Sequence, residues 1–113
     1  MAQMIVIYKT PADKNAFEKH YFEVHIPLAK KLPGLKKYEV SKSPVVSITG
    51  DNDIYLVGTL HFETLDDIQT AFASEEGRAC AADRRILVSD DEKIQMYLFD
   101  TVEVEKIKAH GIT

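Results

Sequence analysis

The chain has 113 residues, 45% hydrophobic and 28% charged, with a formal net charge of −4. That length accommodates one domain with its own core, expected to span 1–113, and leaves no room for a second. The acidic balance, relieved only by the pairs Lys30-Lys31, Lys36-Lys37 and Arg84-Arg85, excludes a nucleic-acid footprint, and the three pairs read as solvated faces. A single cysteine, Cys80, excludes an internal disulfide and a cysteine-based metal site, and its Ala-rich surroundings read as a small packed residue. No apolar run approaches the ~20 residues of a bilayer span, and Met1-Ala2-Gln3-Met4 lacks the charged region of a signal peptide. The expectation is a cytosolic protein without membrane or nucleic-acid partners.

Met4 to Lys9 is a β-rich run ended by Thr10-Pro11. Asp13 then stands where a helix N-cap belongs. Phe17, Tyr21, Val24 and Leu28 follow at i, i+4, i+7 and i+11, one apolar stripe facing a core, with His20 and His25 on its opposite borders. Pro27 lacks an amide hydrogen and disfavours helical angles at Ile26, so a break or kink is predicted just after His25, with Pro27 opening a second short helix that Pro33-Gly34 ends. A histidine at such a break is placed to look into a cavity. Burial favours its neutral ring and a helix C-terminus its charged one, which suits an acid/base group and equally a packed residue bonded to backbone.

Leu35 to Thr49 reads as one irregular or bulged strand, Gly50-Asp51-Asn52-Asp53 as a hairpin loop, and Ile54 to Glu63 as the clearest strand in the chain. Thr64-Leu65-Asp66-Asp67 is a capping start for a helix with Leu65, Ile68 and Phe72 at helical spacing. Ser74-Glu75-Glu76-Gly77 caps another, leading through Ala79 and Ala82 to Ile86 and Leu87. Ile94 to Val104 is the last strand, and a polar tail from Glu105 to Thr113 is expected to fray.

The order βαββαβ predicts an α+β, ferredoxin-like fold: a four-stranded antiparallel sheet with its helices on one face. The strands are apolar in both parities, Ile5 and Ile7 against Met4, Val6 and Tyr8, or Met96 and Leu98 against Tyr97 and Phe99. Two apolar faces call for a second sheet, which a homodimer supplies about a two-fold axis. His61 faces the dimer side or the pocket side according to register.

Pro11-x-Asp13-x-x-Ala16-Phe17-x-x-His20-Tyr21, then His25-x-Pro27-Leu28 and Lys31-Leu32-Pro33-Gly34-Leu35, with Ala71-Phe72-Ala73-Ser74-x-Glu76-Gly77 and Asp83, resemble the EthD family of dimeric α/β-barrel proteins over nearly the whole chain. The resemblance implies the same ferredoxin-like fold, dimerising into a barrel. It also implies a setting, since the family takes its name from a gene cluster for ethyl tert-butyl ether degradation, where it accompanies an oxidising system. Wider barrels of this type include cofactor-free monooxygenases, muconolactone isomerases, polyketide cyclases and decarboxylases, and haem-binding enzymes, many with a pocket between sheet and helices. His25 carries over as the motif histidine, and Tyr21, one turn earlier, is either a core aromatic or a second wall of that pocket.

Two functions are compatible with these residues. The first is a cofactor-independent enzyme, of oxidoreductase, isomerase, cyclase or decarboxylase type, acting on a small apolar carbonyl, lactone or phenolic compound. There His25 is the acid or base, and Tyr21, or a strand tyrosine such as Tyr8 or Tyr55, orients the substrate. The second is a non-catalytic ligand carrier or an accessory protein of an oxidative degradation system. His20 and His25, five residues apart, are not expected to share a helix face, and no cluster has metal-ligand spacing, so neither a metal nor a cofactor is expected.

Overall fold

The computed structural model of the chain describes residues 1–42 and 44–105. Strand β1 (Ala2–Tyr8) leads to helix α1 (Lys14–His20), one π-helical turn (Tyr21–His25) and the short helix α2 (Ile26–Ala29); β2 (Lys37–Val40) and β3 (Leu56–Phe62) follow. Helices α3 (Leu65–Ala73) and α4 (Glu75–Leu87) and a single 3₁₀ turn (Asp91–Lys93) precede β4 (Ile94–Asp100). The caps lie where the sequence places them: Asp13 Oδ1 accepts from the Ala16 amide at 3.0 Å, Thr64 Oγ1 from Asp67 at 3.1 Å and Ser74 Oγ from Gly77 at 3.1 Å. Each satisfies an amide that the first helical turn leaves without a partner.

The strands form one antiparallel sheet in the order β2-β3-β1-β4, the ferredoxin-like arrangement. Residues opposite one another share a face, so Met4, Val6 and Tyr8 of β1 lie with Leu60, Gly58 and Leu56 of β3 under the helices, where all six are buried. Gln3, Ile5 and Ile7 line the other face with Phe99, Tyr97 and Gln95. Among the described residues no helix covers that side, and Tyr97 and Phe99 stay 51% and 37% exposed. Among the described residues no helix is long and apolar enough to cross a membrane.

Two expectations are corrected by the helical run from Lys14 to Ala29. The chain does not break after His25: Ile26 keeps helical angles (φ −58°, ψ −47°), and its amide reaches back five residues to the Tyr21 carbonyl. The wide π turn is the physical reason, because it shifts the carbonyl that the Pro27 ring would strike and asks nothing of the amide that proline lacks. It also changes the phase of the buried stripe. Val24 is 42% exposed and Leu28 only half-buried, whereas Phe17, Tyr21, His25 and Ala29 are buried, a strict spacing of four. His25 thus sits on the core face itself and not on its border.

The strand expected over Leu35 to Thr49 pairs only at Lys37–Val40, where its edge position against β3 ends. Val46 and Ile48, 79% and 94% exposed, are apolar without being strand, and the expected hairpin loop belongs to the irregular connection that follows. The last strand stops at Asp100, short of Val104. The polar tail lies outside the described residues beyond Glu105.

Candidate functional site

A cavity of about 200 Å³ lies between the helix-side face of the sheet and the π turn, α2, α3 and α4. Met4, Val6, Leu60, Phe72 and Met96 give it apolar walls, and Tyr8, Tyr21, Tyr38 and His25 bring its polar atoms. Phe17, Tyr21 and His25 form a column on the buried face of the helical run. Tyr21 stacks on Phe17 at 5.8 Å between ring centroids and on His25 at 5.6 Å, while Tyr8 meets Tyr21 edge-on at 5.5 Å. The step from Phe17 to Tyr21 is α-helical and the π turn supplies the next one, from Tyr21 to His25.

His25 Nδ1 lies 2.9 Å from Asp83 Oδ2, and His20 Nε2 lies 2.8 Å from Asp83 Oδ1. One buried carboxylate on α4 therefore holds both histidines, which corrects the expectation that His20 and His25 do not share a helix face: the turn that joins them is π-helical. A carboxylate only accepts, so the His25 proton sits on Nδ1 and the Nε2 lone pair is free. No described group bonds that Nε2, and no buried polar side-chain atom among the described residues lacks a partner, so Nε2 is not sealed in the core, and its ring lines the cavity. Desolvation holds the His25 pKa below its ordinary 6.5 despite the Asp83 hydrogen bond, which works the other way. At neutral pH the ring is an unprotonated base. His20, with its side chain 29% exposed, connects the buried carboxylate to the outer surface of the helices.

Facing His25, the Tyr21 and Tyr38 hydroxyls are 2.7 Å apart. Burial pushes Tyr21 far above the usual phenol range and Tyr38 up to about 12, so both hydroxyls stay protonated. Either can donate to the other, and the one that accepts keeps its own hydrogen for another partner. Gly58 of β3 makes the pair possible, because a Cβ there would come within 3.1 Å of Tyr21 Oη. Cys80 lines the same cavity, but burial pushes its thiol up to about 11, which keeps it protonated and unreactive.

Tyr21 and Tyr8, both expected as core or pocket tyrosines, line the cavity; Tyr55 does not, and packs edge-on against Phe17 at 5.7 Å. His61 lies on the open face of the sheet, 3.0 Å from Glu39. Arg84 and Arg85 line the cavity mouth, so this pair is not the plain solvated face expected from composition. Sequence reasoning missed Tyr38 and the role of Asp83, although Asp83 stood among the residues that carried the family resemblance. The signal for it was the five-residue step from His20 to His25 followed by Pro27, the pattern of a widened turn.

A four-stranded antiparallel sheet with its helices on one face and a mostly apolar cavity beneath them defines the class of ferredoxin-like α+β proteins. The chain belongs to the EthD family, whose model, described as the EthD domain, matches residues 9–91. It is 36% identical over 84 residues, 74% of this chain and 80% of the relative, to a Rhodococcus erythropolis protein described as an uncharacterized 11.0 kDa protein in the thcB-thcC intergenic region. The crystal structure of an EthD family protein from Bacillus halodurans superposes with a TM-score of 0.80 at 29% identity, covering 90% of this chain and 99% of that one. Two more distant structures share the fold. SnoaB of Streptomyces nogalater, described as a cofactor-independent oxygenase, has a TM-score of 0.62 at 16% identity, with coverage of 91% and 94%. A Bacteroides fragilis protein described as dimeric has 0.61 at 19%, with coverage of 88% and 95%.

Proposed function

We propose that this EthD protein is a cofactor-independent enzyme that moves a proton on a small, largely apolar carbonyl, lactone or phenolic compound, with His25 as the base. The observation that carries this reading is the Asp83–His25 bond, which fixes the tautomer with a free Nε2 on a ring that lines the cavity. In the reaction, Nε2 takes a proton from carbon next to a carbonyl, or from a phenol oxygen, and the electron pair of the broken bond moves to the substrate oxygen. Asp83 stabilises the imidazolium so formed, and a hydroxyl of the Tyr21–Tyr38 pair donates to the oxyanion. Returning the proton at another atom completes an isomerisation with no other reactant. Cyclisation, or attack of dioxygen, would begin from the same anion, and the likeness of fold to a protein described as a cofactor-independent oxygenase supports this family of reactions.

The test is proton exchange in D₂O, followed by NMR, on single-ring ketones such as acetophenone and on single-ring lactones. The wild type is expected to exchange the acidic hydrogens well above the buffer rate, and His25→Gln to lose this by about 10²–10⁴-fold. Because the His25 pKa is lowered, the base form is complete above the ordinary value of 6.5, and the rate should fall only as pH drops through a value below it. Exchange at the buffer rate with stoichiometric binding would instead establish the carrier reading. An acid limb above pH 6.5 would contradict the role given to His25.

We also infer a homodimer formed through the open sheet face, whose Ile5, Ile7, Tyr97 and Phe99 make an apolar surface on the side away from the helices. The dimeric description of the Bacteroides fragilis protein of like fold supports it. Sedimentation should give a dimer at micromolar concentration for the wild type and a monomer for Tyr97→Asp, which plants a charge in that surface. A monomeric wild type would overturn the inference.

A further inference from the structure

The cavity has a charge pattern that its catalytic groups do not explain. Among the described residues no carboxylate lines it, and the only fixed charges there are the guanidiniums of Arg84 and Arg85 in the last turn of α4, although the chain as a whole carries −4. A basic pair at a helix C-terminus has a local use, to offset the exposed carbonyls. Arg84 serves that use: its Nη1 donates to the Val88 carbonyl at 3.3 Å and to Asp91 Oδ1 at 3.0 Å. Arg85, which is exposed where it lines the cavity, has no hydrogen bond or ion pair with any described residue, so its guanidinium is free to meet a ligand there.

Volume narrows the ligand further. An apolar cavity of about 150 Å³ accepts benzene. The cavity here, about 200 Å³, therefore has room for one ring and a small substituent. We propose that it binds single-ring organic anions, with the ring between Met4, Val6, Leu60 and Phe72 and the carboxylate or phenolate on the Arg85 guanidinium. Such a ligand supplies the charge that the mouth lacks, and a guanidinium matches a carboxylate with two parallel hydrogen bonds. The inference rests on the reading of this cavity as the substrate site and names the substrate class for it.

Benzoate and benzamide differ in charge but hardly in shape, which makes them suitable probes. Titrated at pH 7.5 and low salt by NMR shifts or calorimetry, benzoate is expected to bind the wild type about tenfold more tightly than benzamide. Arg85→Gln, a change at an exposed side chain, should remove that difference by weakening benzoate and leaving benzamide unchanged. Added salt should narrow the gap in the wild type. Equal affinities, a preference that survives in Arg85→Gln, or binding of neither probe would each overturn the proposal. The wild type separates the two readings: benzoate binding that persists when the wild type shows no exchange activity supports the anion site and removes only the enzyme assignment.

Discussion

Asp83→Asn is expected to lower the proton-exchange rate by about 10²–10⁴-fold while the protein still folds, the scale seen when an orienting carboxylate beside a catalytic histidine loses its charge. Asp83 is buried and both its oxygens are occupied, by His20 and by His25. An amide of the same shape can accept from only one of them. If its NH₂ faces His25, the imidazole must present its lone pair to the amide and its proton to the cavity, and the base is gone. If its NH₂ faces His20, His25 keeps its tautomer but the imidazolium formed during reaction loses its counter-charge. Either arrangement also gives up charge-assisted hydrogen bonds in a site where solvent screens little, so stability should fall by about 2 kcal/mol. Exchange kinetics and urea unfolding on the same sample check both effects. A rate within twofold of the wild type would show that Asp83 has no part in the chemistry.

The largest stability loss is expected from Gly77→Ala. A Cβ on Gly77 would lie 2.1 Å from the Ala71 carbonyl oxygen and 2.4 Å from Phe72 Cα, which are main-chain atoms of α3. No side chain can swing away to make room, so the two helices must separate. Overpacking of this kind costs about 1–3 kcal/mol where neighbours yield and more where they are backbone. We expect at least about 3 kcal/mol, read as a lower urea midpoint, or failure to accumulate folded protein. The displacement would also carry Cys80 and Asp83 on α4 away from the cavity and from His25. An unfolding midpoint equal to that of the wild type would show that the α3–α4 approach is looser than the structure has it. Gly77 needs no left-handed backbone here; what requires glycine is the closeness of a neighbouring main chain.

The local features of this protein were determined by the sequence alone. Asp13, Thr64 and Ser74 cap the helices that follow because a capping bond spans only three residues. β1 and β3 pair as apolar runs, their order with the helices yields the ferredoxin-like sheet, and the match to the EthD domain spans residues 9–91. The composition of the site was decided by tertiary structure. Asp83 meets His20 and His25 across 63 and 58 residues of chain, and the Tyr21–Tyr38 pair depends on an edge strand that is only four residues long and on the bare backbone of Gly58. The π turn lies between these levels. Its cause, Pro27, is visible in the sequence, but a proline can break, kink or widen a helix, and packing chooses among them. Here the widened turn buries Tyr21 and His25 together beneath the sheet and leaves Val24 in solvent, and a one-residue change of helical phase is thus what puts His25 on the Asp83 carboxylate.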